Sequence, residues 1–217
     1  MTVRIRSLGL RDYAAVWTAM QRFTEARGRN TGDEVWIVEH RPVYTLGLSG
    51  RPEHILNAGG VPIVYSDRGG QVTYHAPGQA IAYLLLDLKR NGLGVKELIV
   101  GCEQSVIDLL GEYELIGWRR PKAPGVYVAD AKIAALGFRV RRGCAYHGIA
   151  LNVNMDLTPY ARIDPCGHPG LKITQLYDLG DVDPLAAVVS RWLPWLLRNL
   201  GFAAATTAVS PPSAATA

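Results

Sequence analysis

The chain has 217 residues, 48% hydrophobic and 19% charged, with a formal net charge of +4. That suits one large globular domain, and the absence of any long run of like charges argues against a nucleic-acid arm. Three cysteines without a C-x-x-C pair supply no disulfide framework or zinc site, and no stretch approaches the ~18 apolar residues of a membrane span.

Val3 to Leu8 alternates apolar residues with Arg4 and Arg6, the pattern of a half-exposed strand. From Asp12 to Arg27 the apolar residues Tyr13, Val16, Trp17, Met20 and Phe23 fall on one helical face. Strands are expected at 34–39, 43–46 and 61–65, followed by the Ser66-Asp67-Arg68-Gly69-Gly70 turn. Gln71 to Tyr74 and Gln79 to Leu88 continue the sheet around Pro77-Gly78. Val95 to Leu110 is an amphipathic helix with Cys102 on its apolar face, and strands return at 125–128, 131–141 and 147–153. A last helix takes Asp183 as N-cap and Pro184 as its first residue, with Pro194 kinking it. Strands without regular βαβ alternation favour an α+β domain built on a mixed sheet flanked by helices. Residues 1–202 are expected to form this domain, and the Ala, Thr, Ser and Pro tail 203–217 to be disordered. The N-terminus, Thr2-Val3-Arg4-Ile5-Arg6, lacks a signal-peptide core. The expectation is therefore a cytoplasmic protein that engages neither membrane nor nucleic acid; a monomer is expected as well, though no residue pattern bears on that.

Three places carry candidate chemistry. Cys166 lies between Pro165 and Gly167 in a turn, where a thiol can be presented to a cleft as a nucleophile; burial as a small hydrophobe is the competing reading. Lys132 sits in the apolar run Ala131-Lys132-Ile133-Ala134-Ala135-Leu136-Gly137, unlike most lysines, which are solvated. It would activate Cys166 either as a neutral base or as the charged partner of a thiolate. The segment 68–79 concentrates glycines, which let backbone approach a ligand. His75, His147 and His168 are further polar candidates, and backbone N–H groups around Gly148 and Gly167 are candidates for holding an oxyanion. Neither a P-loop nor a G-x-G-x-x-G motif is present.

The runs 39–47, 68–79, 131–137, 146–152 and 165–167 resemble, in order, the motifs of the lipoyl(octanoyl) transferase (LipB) family. The resemblance implies a fold similar to the catalytic domains of biotin protein ligases and lipoate ligases. It implies an acyltransferase of lipoate biosynthesis that moves octanoyl from acyl carrier protein to a lysine of a lipoyl domain through a Cys thioester. Cys166 would be the nucleophile and Lys132 its activator. Arg68, Gly69, Gly70, Gln71, Val72, Thr73, Tyr74 and His75, with Ala135, Leu136 and Gly137 and with Gly148, Ile149 and Ala150, would contact the acyl substrate. No metal or other cofactor is implied, the octanoyl group arriving on the phosphopantetheine arm of the carrier. The acceptors would be lipoyl domains of 2-oxoacid dehydrogenase complexes and the glycine cleavage H protein. Ala76 stands where a glycine is usual, and its methyl is expected to narrow the site slightly. Arg119, Arg120, Lys122, Arg139, Arg141 and Arg142 are a candidate basic face for the acidic carrier. Three alternatives remain open: an ATP-dependent lipoate ligase of the same fold, an amidotransferase between lipoyl-bearing proteins, and a non-catalytic lipoyl-domain binding module.

Overall fold

Continuous apolar runs place three strands at the centre. β2 (Asp33–His40), β6 (Gln79–Asp87) and β10 (Cys144–Asn152) are buried almost throughout, as strands covered on both faces must be. The computed structural model describes residues 2–203 and 206–207. It completes an eight-stranded sheet with β1 (Val3–Arg11), β7 (Gly117–Arg120), β8 (Ala123–Val128), β9 (Ala131–Arg141) and β11 (Thr206–Thr207), in the order β11-β1-β2-β6-β10-β9-β8-β7. β1 pairs parallel with β2 and β11 and the other ladders are antiparallel, so the sheet is mixed, as expected.

Alternation along β6 divides the core. Ile81, Tyr83 and Leu85 face helix α1 (Tyr13–Glu25) through Tyr13, Val16 and Met20. Ala82, Leu84 and Leu86 face α2 (Val95–Glu112) and α3 (Leu185–Asn199) through Leu98, Val106, Val188 and Trp192. Leu84 is fully buried, so Leu84→Ala would cost about 2–5 kcal/mol through lost transfer energy and a residual cavity.

Four expectations change. β5 (Val72–His75) does not continue the main sheet; it pairs with β3 (Val43–Leu46) in a separate sheet of order β4-β3-β5, with β4 spanning Ile63–Tyr65. A third core of Tyr44, Leu46, Val72, Tyr74, Ala76, Met155, Tyr160 and Ile163 holds this small sheet. The edge strand β7 escaped the sequence pattern, because its four residues are too few to show alternation. α3 begins at Leu185 with Pro184 as its N-cap, one residue later than expected. Of the tail, residue 203 and Thr206–Thr207 are described, the latter paired with β1; the rest of that expectation lies outside the described residues.

One irregularity positions the site. The β8–β9 ladder ends at Val126↔Ala134, while β9 continues to Arg141 paired with β10. The second half of β9 therefore offers an edge, and the glycine-rich turn docks there: the Gly69 amide donates to the Phe138 carbonyl at 2.9 Å.

Candidate active site

Close approach of the turn to β9 demands glycines. A Cβ at Gly137 would meet the Gly69 carbonyl at 2.6 Å, and one at Gly47 would meet the Gly70 carbonyl at 2.3 Å. Arg68 locks the turn from inside: its guanidinium donates to the Thr45 hydroxyl and carbonyl and to the Gly69 and Gln71 carbonyls. Between this turn, β9 and β10 lies a cavity of about 330 Å³. Arg68, Gly69, Gly70, Gln71, Val72, Thr73, His75, Ala135, Leu136, Gly137, Gly148, Ile149 and Ala150 all line it, as does Lys132.

Tyr74 does not line the cavity. It points into the third core against Tyr44 and Tyr160, the opposite face of β5 from Thr73 and His75, as strand alternation requires. Ala76 lies in the same core, so its methyl leaves the cavity unchanged. The tight backbone contact at Gly148 is made by the Ala82 carbonyl of β6, 1.8 Å from where a Cβ would stand. The Gly167 amide is committed to the Asp164 carbonyl at 2.9 Å, which removes it from the candidate oxyanion donors.

Asp67, unremarked in the sequence, organises the deep end. It accepts hydrogen bonds from Trp17 Nε1 (2.7 Å), Gln21 Nε2 (3.1 Å), His147 Nε2 (2.8 Å) and the Tyr146 hydroxyl. Burial acts to raise its pKa, but these donors outweigh it and hold the carboxyl well below its usual range. His147 is one of three buried histidines in this part of the molecule, with His40 and His75, which pack ring to ring. Burial lowers His40 to about 4 and His75 to about 3, and it lowers His147 against the pull of Asp67. Tyr13 stacks on His75 with ring centroids 5.8 Å apart. Tyr13, Ile81, Tyr83, Val95, Ile99 and Phe138 also line the cavity and were missed in the sequence, and Lys122, expected only on a docking face, lines it too. Helical or strand periodicity marks most of these as core, and nothing local distinguishes core from cavity wall.

Lys132 is 4% exposed. Its Nζ donates to the Pro124 carbonyl at 3.0 Å and lies 5.2 Å from the Tyr127 ring centroid. Tyr127 is its cross-strand neighbour. The segment that follows Cys166 is stitched to it: the Lys132 amide donates to Lys172 O (2.8 Å), and the Thr174 amide donates to Lys132 O (3.0 Å). Cys166 lies on the short 3-10 turn Pro165–Gly167. Pro165 and Lys132 line one small cavity together with Thr73 and Asn152, and Gly167 lies against the Gln71 carboxamide. The fold thus brings the Cys-bearing turn and Lys132 into one neighbourhood, at the edge of the larger cavity. Cys102 is buried in the main core, as expected, and Cys144 is the buried first residue of β10.

The six basic residues do not form one face. Arg119 pairs with Glu103 and donates to Gln104, and Arg141 pairs with Glu25. Arg139 lies near the far end of β9, ~20 Å from Lys132 at about 3.3 Å per residue, and Arg142 follows in the turn beyond it. Lys122 lines the cavity, and Arg120 stacks on Tyr127 and Trp118. Among the described residues no group of three or more His, Cys, Asp or Glu gathers in a metal-binding arrangement, and no helix is long and apolar enough to cross a membrane.

Comparison with known proteins bears on this geometry. A relative named Octanoyltransferase from Azoarcus sp. is 58% identical over 197 residues, covering 90% of this chain and 87% of that protein. One of the same name from Xanthomonas campestris pv. campestris is 52% identical over 211 residues, covering 97% and 91%. Among solved structures, a lipoate-protein ligase A bound with ATP superposes with a TM-score of 0.79 at 13% identity, over 99% of this chain and 90% of that one. Biotin protein ligase from Aquifex aeolicus gives 0.56 at 16%, over 93% and 70%. These two share the fold, the mixed sheet with its flanking helices. The family model of the lipoyl protein ligase A/B catalytic domain matches residues 12–193, and the chain belongs to that family.

Proposed function

We propose that this chain is an octanoyltransferase of lipoate biosynthesis that passes octanoyl from acyl carrier protein to a lysine of a lipoyl domain, by way of a thioester on Cys166. The observation that carries the reading is a buried lysine, Lys132, at the edge of a largely apolar cavity and main-chain bonded to the segment that follows the cysteine turn. The names of the relatives agree with octanoyl as the cargo.

The chemistry balances without a cofactor. Lys132 takes the Cys166 thiol proton and the thiolate attacks the donor thioester; a bond forms between its sulfur and the acyl carbon, the bond to the carrier sulfur breaks, and the carrier sulfur takes that proton from Lys132 and leaves as a thiol. The acceptor amine then attacks the acyl carbon, the bond to Cys166 breaks, and Lys132 relays the surplus amine proton toward the departing thiolate. Thioester to amide runs downhill, so no ATP is consumed. From Lys132 to Phe138 the cavity follows β9 for ~20 Å, and an extended eight-carbon acyl chain, roughly 9 Å at normal bond lengths, fits inside that span. Each methylene buried there contributes about 0.8 kcal/mol, so chains two carbons apart differ by roughly tenfold in binding.

The test is intact mass after mixing with octanoyl-carrier protein in the absence of ATP. The wild type should gain one octanoyl group, Cys166→Ala none, and Lys132→Ala should acylate at least a hundredfold more slowly with its fold intact. Transfer by Cys166→Ala would remove the thioester intermediate, and a strict need for ATP would replace this reading with that of a ligase.

A further inference from the structure

A chain of side-chain hydrogen bonds leads from the cavity wall to the backbone beside Lys132. Arg68 Nε and Nη2 donate to the Thr45 hydroxyl at 3.0 and 2.8 Å, and that hydroxyl meets His75 Nε2 at 3.4 Å. His75 Nδ1 donates to Gln79 Oε1 at 2.7 Å. Gln79 Nε2 donates to the Tyr74 carbonyl at 3.3 Å and to Asn152 Oδ1 at 2.8 Å. Asn152 Nδ2 donates to the Thr174 carbonyl at 2.9 Å. Gln79 and Asn152 are opposite one another in the β6–β10 ladder and are 1% and 4% exposed. Neither carboxamide can flip without losing these bonds to groups that water does not reach.

We infer that Asn152, held in orientation by Gln79, is a positioning residue for the Lys132–Cys166 site, an inference that rests on the acyl-transfer reading above. The stretch leaving the cysteine turn, His168 to Gly170, is exposed. It must return to Lys132 at a fixed height if the turn is to stay in register with the amine. Two backbone bonds to Lys132 set the register of that return, and the Asn152 carboxamide fixes its position relative to the main sheet through Thr174. Slack is small, because Asn152, Lys132, Pro165 and Thr73 enclose a cavity of only about 10 Å³. Neither Gln79 nor Asn152 lines the large acyl cavity. Loss of the anchor therefore acts on the rate of acyl capture and leaves acyl binding alone.

Single-turnover acylation by octanoyl-carrier protein, followed by intact mass, tests this. Asn152→Leu, similar in volume but without a donor, should slow acylation about ten- to a hundredfold, with KM for the donor within twofold of wild type and a cooperative melt. Asn152→Asp separates positioning from bulk packing. Its ionised carboxylate cannot donate to the Thr174 carbonyl, whereas its protonated form can. Its rate relative to wild type at the same pH should therefore rise as pH falls from 8 to 6. Acylation within twofold of wild type in folded Asn152→Leu, or a loss that lies wholly in KM, overturns the inference. Should the leucine variant not fold, a pH-independent ratio for Asn152→Asp overturns it. If the wild type acylates on Cys166 and the Asn152 variants keep pace with it, the inference alone fails; if Cys166→Ala still acquires octanoyl, the reading beneath it fails.

Discussion

At the scale of single residues, the buried histidines make the protein acid-sensitive in a definite window. His40 donates through Nδ1 to the Arg11 carbonyl and accepts from the Tyr83 hydroxyl at Nε2, and His75 is bonded at both nitrogens. Burial is the main cause of their lowered values, about 4 and about 3. In the unfolded chain each titrates near 6.5, so as pH falls below that value the unfolded state takes up protons that the folded state refuses. The stability they contribute is complete above about 6.5 and drains away as pH falls toward 4 and 3, at about 1.4 kcal/mol per pH unit for each histidine. Urea denaturation from pH 7.5 to 4.5 should show this slope, and His75→Gln should reduce it by about one proton. A slope unchanged in that variant would mean that His75 is not the group refusing the proton. Lys132 was legible at this scale because apolar neighbours on both sides mark a lysine out of water. Asp67 was not, because its partners at 17, 21, 146 and 147 are remote in sequence and its own neighbours read as an ordinary turn.

At the scale of elements, strand and helix periods carried most of the reading, and errors arose where an element depends on distant partners. β5 has a strand's composition, but nothing local says whether it pairs with β3 or with the main sheet. β7 is held by long-range contacts that a four-residue window cannot show: Trp118 tilts against Tyr127 on β8, and Arg120 covers both rings. α3 contains Pro194 on its exposed side. A proline inside a helix removes one i→i−4 donor and clashes with the preceding turn. Pro194→Ala should therefore stabilise the protein by about 1–2 kcal/mol, the helix gain being offset in part by a freer unfolded chain. Thermal melts would register a rise of several degrees, and a fall would show that the proline shapes the packing of Trp192 and Leu196 against α2.

At the scale of the whole molecule, the fold class and the family were legible because the motifs fall in order along the chain. The basic face was not, since pairing with Glu103 and Glu25 and the length of β9 scatter the six residues. What remains near the cavity is Lys122 with Arg120. If these two meet the acidic carrier, raising salt from 50 to 500 mM should increase KM for octanoyl-carrier protein several-fold while leaving a small octanoyl thioester nearly unaffected. Equal responses would place carrier recognition elsewhere.

The division of the interior has a consequence for how such a protein would fail. Lys132 belongs to the broad sheet, whereas the turn bearing Cys166 rests on the small one through Ile163 and Tyr160. On the acyl-transfer reading proposed above, reactivity would be assembled across a seam between two separately packed cores, stitched by a few main-chain and carboxamide links. A slip of about an ångström along that seam would silence turnover while both cores stayed folded, so heat or a distant substitution can abolish catalysis with no sign of it in a melting curve.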